Sequence, residues 1–218
     1  MAGAATARLF VAIDPPAPLR AELAAWARAA LGPNRGDGGG ASRPLRVLDP
    51  RLLHLTLCFL GARPLEEVES IAAALEECAQ PVGGLSIGAP LWLPPRRPRA
   101  LAVEVHDPDA QLARLQRCVS DAVAQATGRL GEDDDAARGV ALHRGGRGVS
   151  SHRRRGFLPH ITLARMREGV APRARELPPT PALAFTPTEV VLYRSWLDPQ
   201  GASYEALARA TLAPAGFS

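Results

Sequence analysis

Lysine is absent from this chain: all 26 basic residues among its 218 are arginine. Reactions that need a lysine amine are thereby excluded, among them a Walker A phosphate loop, a pyridoxal Schiff base and a lysyl-nucleotidyl ligase intermediate. A G+C-rich coding sequence, with which 21 prolines and 20 glycines also agree, is expected as the source of the bias in preference to selection for arginine. Long apolar runs are missing too. The stretch from Leu9 to Ile13 stops at Asp14, Pro15 and Pro16, too short for a signal-peptide core or a membrane-crossing helix. The expected setting is the cytoplasm, with no membrane partner. Cysteine is scarce: Cys58, Cys78 and Cys118 are odd in number and form no C-x-x-C pair. Neither a disulfide framework nor a zinc knuckle is expected, and the three read as free thiols in a reducing compartment. Aromatic residues make up only 5%, which argues against a single-strand binder built on rows of stacking rings. There is no H-E-x-x-H helix, no Gly-x-Ser-x-Gly elbow and no glycine-rich dinucleotide fingerprint.

What remains is an ordinary globular composition, 46% apolar and 22% charged, long enough for one domain or two small lobes. The net charge of +4 is compatible with a polyanionic partner, since phosphate contacts supply much of nucleic-acid affinity.

Periodicity predicts a strand over Arg8 to Asp14 and an amphipathic helix over Pro18 to Leu31, with Leu19, Leu23, Trp26 and Ala30 at helical spacing. A glycine-rich mobile loop is expected over 32–43, then strands near Leu45 to Leu48 and Leu53 to Leu60. Pro64 to Gln80 reads as a second helix, with Leu65, Val68, Ile71, Ala72 and Leu75 on one face and glutamates on the other. Strands near Leu85 to Leu93 and Leu101 to Val105 precede a third helix, Asp109 to Thr127, with Asp107 or Asp109 as its cap. Periodicity vanishes over 128–156, where an acidic run gives way to arginines, His143 and His152, and a disordered insertion is expected. A strand from Phe157 to Arg165, a proline-rich crossover over 172–181, and strands over Leu183 to Arg194 and Ser203 to Leu212 close the chain. This order indicates an α+β fold rather than a doubly wound parallel sheet.

Two segments stand out, His54-Leu55-Thr56-Leu57 and His160-Ile161-Thr162-Leu163, one pattern repeated 106 residues apart. Five histidines and eight threonines would give about 0.2 such pairs by chance. Side chains alternate along a strand, so each segment presents an imidazole and a hydroxyl on one face and two apolar residues on the other. With one motif in each half, two similar lobes facing a cleft are expected, the histidines meeting between them. Two such imidazoles suit an in-line displacement at phosphorus: one ring takes a proton from the attacking oxygen, the other protonates the departing one. The threonine hydroxyls would hold non-bridging oxygens. Catalytic zinc wants three protein ligands, and no carboxylate adjoins either motif histidine, so no metal is expected. His143 and His152 read as solvated loop residues, His106 as a turn residue, Trp26 as core, and Trp92 equally as packing or as a stacking platform at the cleft edge.

These residues bring the chain close to a known family. It resembles the two-histidine phosphoesterases, and within them the bacterial RNA 2′,3′-cyclic phosphodiesterases, also described as 2′-5′ RNA ligases. The likeness runs through Arg-Leu-Phe-Val-Ala-Ile at 8–13, His-Leu-Thr-Leu-x-Phe-Leu-Gly at 54–61, Pro-Arg-Arg-Pro-Arg at 95–99, Pro-His-Ile-Thr-Leu-Ala-Arg at 159–165 and Leu-Tyr-Arg-Ser at 192–195. It implies a single bilobal domain over 1–218, with two pseudo-symmetric, mainly antiparallel lobes around a central cleft and helices outside. It further implies cofactor-free hydrolysis of terminal 2′,3′-cyclic phosphates of RNA to 2′-phosphates by a monomer. His54 would be the proton donor and His160 the acceptor, with Thr56, Thr162 and Arg165 binding the phosphate. Strand period sets Arg165 out of phase with His160 and Thr162, so its approach requires a strand end or a bulge. Cys58 stands where the family often has a basic residue, on the expected face of His54 and Thr56. ATP-independent ligation of RNA ends at the same site and a non-catalytic RNA-binding module are the alternatives.

Overall fold

The computed structural model describes residues 5–32, 45–95, 98–128, 157–166, 176–198 and 201–214. The loop expected over 32–43 and the insertion over 128–156, with His143 and His152, lie outside these residues except for Gly32 and Gly128. In chain order the elements are β1 (Thr6–Ile13), α1 (Ala17–Leu31), β2 (Leu45–Val47), β3 (Leu55–Pro64), α2 (Val68–Glu77), β4 (Leu85–Leu93), β5 (Ala100–His106), α3 (Gln111–Thr127), β6 (His160–Met166), β7 (Ala184–Phe185), β8 (Glu189–Asp198) and β9 (Gly201–Thr211).

The strands form one open antiparallel sheet in the order β7-β4-β5-β6-β3-β1-β8-β9, with β2 also on β6. It is an α+β fold of two half-sheets of four strands each, and the two motif strands, β3 and β6, are the inner strands that meet. A single registered pair, Leu55 with Ile161, joins them. One face carries all three helices. Leu19 and Leu23 of α1, Ile71 and Leu75 of α2, and Leu112, Leu115, Val119 and Val123 of α3 pack in one cluster with Val11, Leu55, Val103, Ile161 and Leu192 of the strands. Each fully buried leucine or valine there contributes about 1.5–3 kcal/mol of transfer free energy. The face opposite is left clear for polar and aromatic side chains.

Local chemistry sets the element ends. Gly32 stops α1 at φ 76°, a conformation costly for any residue with a Cβ. Asp107 caps α3, its carboxylate accepting from the amides of Gln111 and Ala113, each at 3.0 Å. The strand expected over Leu183 to Arg194 is two strands on opposite halves of the sheet: β7 pairs with β4, and β8 lies between β1 and β9. Pro187, without an N–H, falls in the break. Trp26, expected in the core, is partly buried against it, its indole N–H donating to the Pro179 carbonyl at 2.8 Å, and Trp92 packs beside Leu101 and Ala164. Among the described residues no helix is long and apolar enough to cross a membrane.

One expectation fails outright. Cys78 and Cys118 form a disulfide between the end of α2 and the middle of α3, with Cα atoms 5.7 Å apart. An odd cysteine count says nothing of which thiols the fold brings within bonding distance. Here, two helices packed on the same sheet face do so.

Candidate active site

The seam between β3 and β6 builds the site. With Leu55 opposite Ile161 and both pointing into the core, the register carried one residue to either side sets His54 opposite Thr162 and Thr56 opposite His160. All four polar side chains therefore fall on the helix-free face, related by an approximate two-fold axis through the seam.

Each ring is oriented by the same device. Nδ1 of His54 lies 2.8 Å from the Leu52 carbonyl, and Nδ1 of His160 lies 2.8 Å from the Leu158 carbonyl. A carbonyl only accepts, so Nδ1 carries a proton in both rings and Nε2 is the atom free to exchange one. The segments that carry these carbonyls are anchored nearby. Leu52 ends a 3₁₀ turn, Pro50–Leu52, capped by Asp49 through the Arg51 amide at 2.9 Å. On the other side, the Val105 amide donates to the Pro159 carbonyl at 3.0 Å and anchors the segment entering β6.

Arg165 reaches the same face through a bulge. Thr162 pairs with Ala102 of β5 and Arg165 with Ala100, so Leu163 is one residue extra in β6. Ala100 and Ala102 alternate normally on β5, which places Arg165 in phase with Thr162 and His160. Its charge also acts on His54 and Tyr204 from that position.

No protein-family model matches the chain, and no curated protein matches it. Solved structures do. TT0787 of Thermus thermophilus is 27% identical, covering 94% of this chain and 97% of that one with a TM-score of 0.69. LigT of E. coli, in complex with 3′-AMP, is 26% identical over 95% of this chain and 99% of that one, with a TM-score of 0.68. A further structure described as a phosphoesterase is 25% identical over 94% and 98%, with a TM-score of 0.68. The chain is thus similar, over nearly its whole length, to structures of the two-histidine phosphoesterase superfamily.

The protein walls one side of this site with aromatic rings to which strand periodicity alone gives no role. Phe10 of β1 lies 4.9 Å from the His54 ring, 5.2 Å from Tyr193 and 5.0 Å from Tyr204, and Tyr204 meets His54 edge-on at 5.2 Å. Phe59 joins them through a second bulge. Thr56 pairs with Ala12 and Cys58 with Val11, so Leu57 is extra and the residues after it change face. Phe59 thereby shares the face of Phe10. Cys58, expected beside His54 and Thr56, is turned into the core instead. The available signal was Phe10 inside the Arg-Leu-Phe-Val-Ala-Ile run; nothing local announces the bulge.

Burial under these rings pushes His54 down to about 4 from its ordinary 6.5. The Leu52 carbonyl and Asp14 oppose the shift, while Arg165 and His160 add to it. Burial also raises the Tyr193 and Tyr204 phenols, so both stay protonated, and the Tyr193 hydroxyl donates to Asp14 at 2.6 Å. On the other side of the seam, Glu104 of β5 stands opposite His160, and Nε2 of His106 lies 3.7 Å from its carboxylate. His106 is thus the last residue of a strand, on the site face, with its ring laid over Gly88 so closely that a Cβ there would clash with Nε2. Among the described residues, no group of three or more His, Cys, Asp or Glu is placed to hold a metal.

The His54 shift carries a prediction. In the free protein its ring protons should titrate by NMR near pH 4, and Tyr204→Ala or Phe10→Ala should move the midpoint up toward 6.5 by readmitting water. The unfolded ring binds its proton first as pH falls, so stability should decline between about 6.5 and 4, and His54→Asn should flatten that decline. A wild-type midpoint at 6.5 would contradict the burial argument.

Proposed function

We propose that this enzyme hydrolyses terminal 2′,3′-cyclic phosphates of RNA to 2′-phosphates by acid–base catalysis from His54 and His160, without a cofactor. The observation that carries the reading is the matched pair of rings on the two strands of the seam, each with Nδ1 tied to a carbonyl two residues back, which leaves Nε2 as the nitrogen that exchanges a proton. A neighbour of like fold is described as a phosphoesterase, and E. coli LigT was crystallised with 3′-AMP, ATP and phosphate.

In the proposed reaction, Nε2 of His160 takes a proton from water as its oxygen bonds to phosphorus. The bond from phosphorus to the 3′ oxygen breaks, and Nε2–H of His54 protonates that oxygen. The products are a 2′-phosphate and a free 3′ hydroxyl. Thr56, Thr162 and Arg165 hold the non-bridging oxygens, Arg165 with a planar fork that suits them. Before binding, His54 is neutral at pH 7. The anionic phosphate arriving beside it favours the imidazolium, so the acid is charged along with substrate binding. We assign this activity to a single bilobal domain over 1–218, acting as a monomer in the cytoplasm.

The same site supports a second reading, ATP-independent 2′-5′ ligation: the 5′ hydroxyl of a second RNA replaces water, its oxygen bonds to phosphorus as Nε2 of His160 takes its proton, the bond from phosphorus to the 3′ oxygen breaks, and His54 protonates that oxygen. One experiment addresses both. Purified protein in excess EDTA is incubated with an oligoribonucleotide ending in a 2′,3′-cyclic phosphate and followed by phosphorus NMR. Replacement of the cyclic resonance by that of a 2′-phosphate monoester is expected. Conversion to a 2′-5′ linked product alone would make ligation the activity. Bound but unchanged substrate would indicate an RNA-binding module.

A further inference from the structure

The strand that flanks the seam on the side away from β3 is β5, and its register on β6 sets Ala100 opposite Arg165, Ala102 opposite Thr162 and Glu104 opposite His160. Directly opposed side chains of an antiparallel pair share a face, with Cβ atoms about 4.5–5.5 Å apart. Val103 and Val105, which alternate with this row, are buried in the core on the helix side. To the site, then, β5 presents two methyl groups and one carboxylate, and the carboxylate falls beside the ring assigned as base. Its other flank is defined as well. A Cβ on Gly88 of β4 would stand 3.0 Å from the Glu104 Cβ and clash with Nε2 of His106, and that nitrogen lies 3.7 Å from the Glu104 carboxylate. Glu104 thus has an imidazole on either hand and keeps 33% of its side chain exposed. Asp14, the carboxylate that acts on His54, is by contrast already bonded by the Tyr193 hydroxyl.

An in-line displacement fixes the side from which the nucleophile comes, because the entering and departing oxygens lie on opposite sides of phosphorus. The departing oxygen belongs to His54 on β3, so the entering one arrives on the His160 side, next to β5. Water brings two protons. Nε2 of His160 takes one, and the other stays on an oxygen that becomes a stronger donor as it bonds to phosphorus.

We propose that the Glu104 carboxylate accepts a hydrogen bond from the second proton of the attacking water, aiming the oxygen lone pair at phosphorus and setting the site for hydrolysis over ligation. This rests on the function proposed above and deepens it. Glu104 takes no proton: the second proton remains on the new phosphate oxygen and leaves to solvent afterwards. An alcohol carries a single hydroxyl proton, which His160 takes, so the 5′ hydroxyl of a second RNA gains nothing from the carboxylate. The phosphates of that second chain would also approach against its negative charge.

The test sets water against methanol as nucleophiles on an oligoribonucleotide ending in a 2′,3′-cyclic phosphate, with the 2′-phosphate and its methyl ester counted by phosphorus NMR. In Glu104→Ala the kcat for hydrolysis should fall by about tenfold or more, the worth of a hydrogen bond to a charged group, with KM little changed. Methanolysis should hold its rate, so the ratio of ester to 2′-phosphate at a fixed methanol concentration should rise by the same factor. Glu104→Gln, which keeps the volume and a neutral acceptor, should fall between wild type and Glu104→Ala in both readings. A residue that merely supports the strand would slow both nucleophiles equally. A ratio equal to that of wild type, no ester from Glu104→Ala, or a wild-type kcat for hydrolysis in that variant would therefore overturn the role of Glu104 while leaving the two-histidine mechanism standing. A wild type that leaves the cyclic phosphate unchanged, or that joins RNA ends without releasing a 2′-phosphate, would instead overturn the proposed hydrolysis and the role of Glu104 together.

Discussion

Replacing His54 or His160 with alanine should lower kcat on an RNA 2′,3′-cyclic phosphate by about 10²–10⁴-fold, the range for loss of a positioned acid or base. Because the two rings act in one displacement, the double variant should be little slower than the worse single one. KM should change much less than kcat, since Thr56, Thr162 and Arg165 remain to hold the phosphate. The two sites differ in what else they lose. His54 is packed against Phe10 and Tyr204, so His54→Ala also opens space beside them, and His54→Asn serves as the partner that keeps volume. His160 opens a strand at the edge of the site, and its removal should leave thermal stability near wild type. The wild-type kcat/KM should trace a bell against pH, with its acidic limb well below 6.5 because His54 in the free enzyme is held near 4. Activity within tenfold of wild type in both single variants would dismiss acid–base catalysis by these rings.

The strand period that picks out His54, Thr56, His160 and Thr162 is a local property, and it holds because both segments enter their strands without irregularity up to the threonine. It stops being reliable one residue later. At Leu57 and at Leu163 an extra residue enters the ladder, and alternation reverses beyond it. The first bulge turns Cys58 away from the face where alternation sets it and brings Phe59 there. The second carries Arg165 into the cleft, where alternation alone excludes it. A bulge is a mismatch between two strands, so neither strand's own sequence encodes it. The helices were legible for the opposite reason: the buried stripe Leu112, Leu115, Val119 and Val123 of α3 is written entirely within its own segment. Tyr204 reaches His54, and Tyr193 reaches Phe10, only because β8 and β9 lie beyond β1, a topology set by long-range pairing. The Cys78–Cys118 bridge was invisible on the same grounds.

Reduction of that bridge should destabilise the protein by about 4 kcal/mol, the chain-entropy value for a loop closed over 40 residues. For a protein of this size the loss corresponds to a fall in Tm of about 8–16 °C. Both cysteines lie on the helix side of the sheet, away from the cleft, so kcat measured below the transition should not change. Comparing oxidised and reduced wild type keeps every atom of the core in place and isolates the covalent link. Cys78→Ala with Cys118→Ala adds the loss of packing at Cys78, which is only 1% exposed, and should melt lower still while ignoring reductant. Equal Tm values for wild type with the bridge intact and with it reduced, each state verified by mass, would mean that α2 and α3 are held together by apolar packing alone. The same chemistry bears on where the protein works. Thiols trapped by alkylation at the moment of lysis report whether the pair is bridged in the cell. A reducing cytoplasm keeps most such pairs open, so a pair found closed would place the protein in an oxidising setting and overturn the proposed compartment.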